Sequence, residues 1–217
     1  MKTPLPELDG RTPWQAIEQG DAGPVLAALA ADYEGLGFWM PFEGFLRPWS
    51  GTLFRHVPAD RSADPLDFRF AGVGLTNRWH LPGQPTLCLA SDEGVMIAGW
   101  GRHHAMDRSP ELELRAVERA VFRFDLALDR VIDLQDPDVT DRLQLSGAPG
   151  CFADIALARA TANFFRHATA AQAVQAASMA FPDDPSRFVM ARFLEKLPDD
   201  PRRYLRAVTP AGTLRRG

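Results

Sequence analysis

Asn77-Arg78-Trp79-His80-Leu81-Pro82-Gly83-Gln84-Pro85-Thr86-Leu87-Cys88-Leu89-Ala90-Ser91-Asp92 is the stretch on which the reading of this chain turns. A cation and an aromatic precede a Pro-Gly turn, the turn feeds a short apolar strand, and the strand ends at a residue suited to capping a helix. That layout sets Arg78 and Trp79 at the mouth of a sheet, where charge and stacking can hold a flat anionic ligand.

Working outward, strands are expected at Leu53–Val57, Thr86–Ala90, Val121–Leu128, Gln172–Ala176 and Phe188–Leu194, each short, apolar and bounded by Pro, Gly or Asp. Helices are expected near 92–104, 110–118, 137–144 and 154–167, with Asp136-Pro137 a clear start signal. Strands and helices alternate without regular βαβ spacing, which predicts an α+β domain built on a mixed or mostly antiparallel sheet. Residues 1–50 read as an N-terminal helical extension. Within it Thr12-Pro13 opens one helix through Trp14 and Ile17, and Asp21 with Pro24 opens another carrying Val25, Leu26, Leu29 and Tyr33. The cluster Phe38-Trp39-Met40-Pro41-Phe42 reads as packing between that extension and the main domain, 51–208, and residues 209–217 as a flexible tail.

Composition narrows the function classes. Hydrophobic residues at 46% and charged residues at 24% suit a globular protein, and no apolar run approaches the roughly 18 residues of a bilayer span. Behind Lys2 there is no continuous apolar core, so a cytoplasmic location is expected and no membrane partner. A formal net charge of −4 argues against direct nucleic-acid binding, and the Arg202-Arg203 and Arg215-Arg216 pairs read as solvated charges. Cys88 and Cys151 are the only cysteines and are expected reduced. A thiol nucleophile at Cys88 served by His80, His103 or His104 is the weaker reading of a cysteine inside an apolar strand. Adjacent His103 and His104 point about 100° apart on a helix, and no metal-binding motif is present, so no metal site is expected.

Three stretches carry a family resemblance: Leu53-Phe54-Arg55-His56-Val57-Pro58-Ala59, the Asn77–Asp92 stretch, and Ala176-Ala177-Ser178-Met179-Ala180-Phe181-Pro182-Asp183-Asp184-Pro185 followed by Arg187-Phe188. In order and approximate spacing they resemble the RES-domain family of NAD-degrading bacterial toxins, over residues 50 to 200. The resemblance implies a compact fold similar to the ADP-ribosyltransferase toxins. It also implies that NAD is the substrate, cleaved at the nicotinamide–ribose bond by hydrolysis or phosphorolysis, and that a small helix-turn-helix antitoxin is the partner. A homo-oligomer is compatible with these features.

By the same resemblance Arg55 and Arg78 hold the pyrophosphate, Ser178 contacts ribose or phosphate, and Trp79 and Cys88 line the NAD site. The family glutamate is missing: Gly99 stands at its position, while Cys88 replaces the usual tyrosine and Ala177 a proline. A disabling substitution, a branch that lost catalysis, or use of another acid would each account for Gly99, and a disabled form of an active toxin is the favoured account. The alternative function is a catalytically inactive nucleotide- or antitoxin-binding module.

Overall fold

The structure, a computed structural model, describes residues 8–21, 40–62, 64–68, 71–72, 77–106 and 118–215. The expected second helix of the extension and the expected helix at 110–118 fall outside these residues, except for Glu118.

Helix α1, Pro13–Glu18, starts where Thr12 predicts. The Thr12 hydroxyl accepts from the Gln15 amide at 3.2 Å while the Gln15 side chain accepts from the Thr12 amide at 2.8 Å, a reciprocal cap that satisfies two otherwise orphaned donors. A short helix α2, Met40–Glu43, follows, and Phe42 is buried with its ring edge-on to Phe164 and Phe165 at 5.4 Å each. For Phe42 the expected packing role holds.

Six strands make one sheet: β1 Arg47–Pro58, β2 Thr86–Ala90, β3 Arg119–Asp133, β4 Ala173–Ala177, β5 Phe188–Phe193 and β6 Leu205–Leu214. Between them lie α3 Glu93–Met106, α4 Pro137–Arg142 and α5 Ile155–Ala168. The order is β1-β2-β5-β4-β3-β6, and β1 also pairs with β3. Every pairing is antiparallel except β3 with β4, so the sheet is mixed and mostly antiparallel, and the fold is α+β as expected. The pairing path β1-β2-β5-β4-β3 returns to β1, although the β1–β2 link is the single pair Phe54 and Ala90.

β3 is longer than its apolar core suggests because three neighbours use its length. β1 occupies one edge, and β6 and β4 take successive stretches of the other. Leu53, Phe124, Leu126 and Met190 pack fully buried on one face. On the other, α5 sets Phe164 and Phe165 against Ile132, Val174 and Phe193, and α1 adds Ala16 and Ile17 to the same cluster. The side-chain amide of Asn163 on α5 donates to the Ile17 carbonyl, so the N-terminal helix is tied to the domain by a buried hydrogen bond as well as by apolar area.

β1 begins at Arg47, within the stretch read as the extension, and pairs with β3 from that point. β6 runs to Leu214 along β3, and Arg215 bonds Glu118 at 2.9 Å, so the described residues 209–215 lie along the sheet. The reason is backbone pairing at a sheet edge, which needs no apolar pattern and tolerates Pro210 at an irregularity in the register.

Candidate active site

The quoted loop is rigidly mounted. Leu81–Gln84 close a turn with the Gln84 amide donating to the Leu81 carbonyl at 3.1 Å and Gly83 at φ +87°, the left-handed conformation that a Pro-Gly type II turn requires. The Gln84 side chain donates to Asn163 at 2.6 Å, and Arg159 donates to the Asn77 carbonyl at 2.9 Å, both from α5. Gly72 meets the turn so closely that a Cβ would lie 1.9 Å from the Gln84 carbonyl oxygen. β2 then leads to Asp92, whose carboxylate accepts from the Val95 amide at 3.0 Å and caps α3 as the sequence predicts.

This mounting opens a cleft of about 600 Å³ between β1, the loop, β2, α3 and the turn after β4. Ligand pockets commonly span about 300–1,000 Å³. Arg55, Arg78, Trp79, Cys88, Gly99 and Ser178 all line it, although they come from five separate elements or loops. Sequence reasoning did not single out Arg102, His56 and Trp100, which line it too. Arg102 was within reach, because a residue three positions after Gly99 lies on the same helix face.

Each arginine has a distinct setting. Arg55 donates to the Pro65 carbonyl at 3.0 Å and lies 5.5 Å from the Phe68 ring centre, and burial lowers its pKa against the opposing pull of Cys88 and Asp67. Arg78 donates to the Phe152 carbonyl. Its pKa is lowered by burial first and then by the nearby charge of Arg102, with Asp154 partly offsetting. Burial also lowers that of Arg102. No carboxylate is among the described residues that line the cleft. Partly desolvated cations in a concave, carboxylate-free wall favour an anionic ligand, since an anion recovers the Coulomb energy that lost hydration removed.

Ser178 is buried at the turn, where its Oγ accepts from the Ala180 amide at 3.4 Å and its amide donates to the Arg187 carbonyl at 2.9 Å. It is therefore a turn residue and a wall of the cleft at once. Trp79 spends most of its surface in the core, 4% exposed and tilted 59° to Phe152 at 5.3 Å, so only a sliver of it reaches the cleft. An open stacking platform is not what the structure offers there.

Burial pushes the Cys88 thiol up to about 11 despite Arg55 and Arg102 nearby, so it stays protonated at neutral pH. His80 is 2% exposed and its Nδ1 donates to the Leu81 carbonyl, 3.0 Å away, outside the cleft. The Cys88–His80 pairing is thus not assembled, and the side chains of His103 and His104 lie outside the described residues. Among the described residues no group of three or more His, Cys, Asp or Glu could hold a metal ion, and no helix is long and apolar enough to cross a membrane.

Gly99 sits in α3 with nothing within 4 Å of where a Cβ would stand. His56 accepts at Nδ1 from Arg119 Nε at 3.0 Å, and its ring lies 5.8 Å from that of Trp100. The accepting nitrogen fixes the neutral tautomer with the proton on Nε2.

No protein-family model matches the chain, and no curated protein matches it. Among solved structures it is similar to a chain of the M. tuberculosis MbcT-MbcA toxin-antitoxin complex, at 19% identity and a TM-score of 0.49, over 77% of this chain and 87% of that one.

Proposed function

We propose that the cleft is an NAD site of the RES-like toxin kind, in a chain whose catalytic carboxylate is absent at position 99. The observation that carries this reading is the convergence of Arg55, Arg78, Trp79, Cys88, Gly99 and Ser178, singled out from the sequence, on one cleft. In this reading the arginines take the pyrophosphate, because a guanidinium offers phosphate a planar fork of donors. The Ser178 turn faces ribose or phosphate. An antitoxin covers the entrance and competes with NAD, and a fold like that of the ADP-ribosyltransferase toxins belongs to the same reading.

Cleaving the nicotinamide–ribose bond expels a neutral group and builds positive charge on the ribose, so the reaction needs a carboxylate close to that carbon. The described cleft lining supplies none, and losing one preorganised contact of this sort costs a factor of about 10² to 10³ in rate. The chain as it stands therefore binds the dinucleotide and turns it over slowly or not at all. That same lack of a carboxylate favours, as second reading, a module that keeps the nucleotide site and has given up the chemistry.

Gly99→Glu tests the first reading. Gly99 lines the cleft and a Cβ there meets nothing within 4 Å, so the first atom of the new side chain meets no neighbour. Its expression should arrest growth, and the purified variant should consume NAD in buffer with or without phosphate. Intact NAD after hours under both conditions overturns the toxin reading and leaves the binding module.

A further inference from the structure

Both ends of the loop that carries Arg78 and Trp79 are fastened to one face of α5. Arg159 Nε donates to the Asn77 carbonyl at 2.9 Å, and Asn163, one helical turn further on, accepts at Oδ1 from Gln84 Nε2 at 2.6 Å. Asn163 has a second task. Its Nδ2 donates to the carbonyl of Ile17 in the last turn of α1, and the residue is only 1% exposed. Gln84 in turn accepts at Oε1 from the Leu81 amide at 2.9 Å.

These four groups form a chain of bonds with a fixed direction. A main-chain carbonyl can only accept, so Asn163 must present its amide nitrogen to Ile17 and its oxygen to Gln84. Gln84 must then present its own nitrogen to Asn163, which leaves its oxygen for the Leu81 amide, a group that can only donate. Neither side-chain amide can turn over without setting like groups face to face. Such a mismatch is costly at a buried residue, where a polar group cannot turn to water instead. The end of α1 and the turn are also neighbours in space: a Cβ on Gly20 would stand 4.0 Å from Leu81 Cδ1.

We propose that Asn163 is a positioning residue that couples α1 to the cleft, so that the order of the N-terminal helix and the occupancy of the cleft govern one another. Arg78 and Trp79 lie between the two fastenings of their loop, and both line the cleft. When α1 frays, Asn163 loses the acceptor that fixes its orientation, Gln84 loses a defined partner, and the turn that closes the loop is released. The converse follows by linkage: a ligand that holds the loop also holds α1. The coupling rests on the NAD reading only for the choice of ADP-ribose as probe.

The test uses the full chain, with ADP-ribose titrated by calorimetry and main-chain amide exchange followed in parallel. Thr12→Ala removes the N-cap of α1 and touches none of the four groups. It should weaken ADP-ribose binding by about two- to tenfold, the worth of one neutral hydrogen bond. Gln84→Glu keeps the acceptor for Leu81 and loses the donor to Asn163, and Gln84→Met cuts the link without adding a charge. Each should weaken binding by a similar factor, and Thr12→Ala added to either should weaken it no further. ADP-ribose should slow exchange of the Gly20 and Asp21 amides, which bond Ile17 and Ala16, in the parent and leave it unaltered in the Gln84 variants. Loss of stability alone does not produce that difference.

Losses that multiply when Thr12→Ala is combined with a Gln84 variant, or α1 amides that ignore bound ADP-ribose in the parent, overturn the coupling. A parent chain that does not bind ADP-ribose removes the NAD reading and leaves the coupling to the ligand-free chain. There Thr12→Ala should speed exchange of the Leu81 and Gly83 amides only while Gln84 is intact, and the same change in both backgrounds overturns the coupling.

Discussion

The guanidinium of Arg78 donates to the main-chain carbonyl of Phe152, 74 residues further along the chain, and this one bond joins the loop before β2 to the turn that leads into α5. The aim of Arg78 is therefore fixed by the protein before a ligand arrives. Lysine at this position would keep the charge but lose the rigid planar fork whose separate nitrogens face the carbonyl and a phosphate in fixed directions. Arg78→Lys should thus weaken ADP-ribose binding by at least about tenfold, the worth of one charge-assisted hydrogen bond, with an unchanged far-ultraviolet spectrum. Unaltered affinity would show that charge alone suffices.

Glycine in the interior of α3 is a stability cost with no steric justification at position 99, where a Cβ meets nothing within 4 Å. Gly99→Ala should stabilise the chain by about 0.5–1 kcal/mol, raising the melting temperature by about 1–4 °C. The gain also gives the baseline against which Gly99→Glu is judged. A fall in melting temperature for Gly99→Ala would mean that the helix needs glycine there for a reason other than space.

The parts of the fold that could be read from the sequence are those settled by short-range hydrogen bonds. Thr12, Asp92, Asp136 and Asp154 each cap the helix they precede, and each bond spans two or three residues. The Pro82-Gly83 turn is equally local. What escaped depends on distant partners: β6 is half exposed, holds Pro210 and Gly212, and exists because β3, more than 70 residues earlier, offers it an edge. The first residues of β1 are mostly exposed for the same reason, and only pairing with β3 makes them strand. At the site, the six positions that the family resemblance singled out line one cleft. The same reasoning missed His56 and Arg102, whose part depends on which faces of β1 and α3 turn inward.

Cys88 offers a chemical check on the cleft. With its thiol raised to about 11, the thiolate fraction at pH 7.5 is below one part in a thousand, far under that of an ordinary cysteine. Iodoacetamide should label Cys88 much more slowly than a free thiol at pH 7.5, and the rate should keep climbing beyond pH 9. Fast labelling that levels off near pH 8 would reveal an activated thiol and revive the nucleophile reading.

Acid should loosen the fold through its histidines, chiefly the buried His80, with the exposed His167 adding less. His80 and His167 both have pKa values lowered from 6.5, chiefly by burial. The unfolded chain therefore binds more protons than the folded one just below pH 6.5, and stability rises with pH through that window. Their contribution is complete above about 6.5 and is lost as pH falls towards the depressed folded values. Melting temperature should drop between pH 7 and 5, and His80→Gln should flatten the slope. An identical slope in the variant would assign the acid sensitivity elsewhere.

Among the described residues Arg192 is the largest wholly buried side chain, and it lies on β5 with its guanidinium 4.8 Å from the Tyr204 ring centre. Burial pulls its pKa down to about 10, and among the described residues Nε and Nη2 find no acceptor. Tyr204 pulls the other way, so removing the arginine alone would take from the buried tyrosine the cation that it faces. Replacing both members with apolar side chains of similar shape removes the desolvation cost on each side, a change that is often neutral or stabilising by about 1–4 kcal/mol. Arg192→Met with Tyr204→Phe should accordingly match or exceed the parent chain in urea midpoint, while Arg192→Met alone should fall below the double variant. ADP-ribose binding in the cleft, proposed to run through Arg55 and Arg78, should be unchanged in both. A double variant less stable than the parent by more than about 1 kcal/mol would show that the buried cation contributes more by its contacts than it costs in lost hydration.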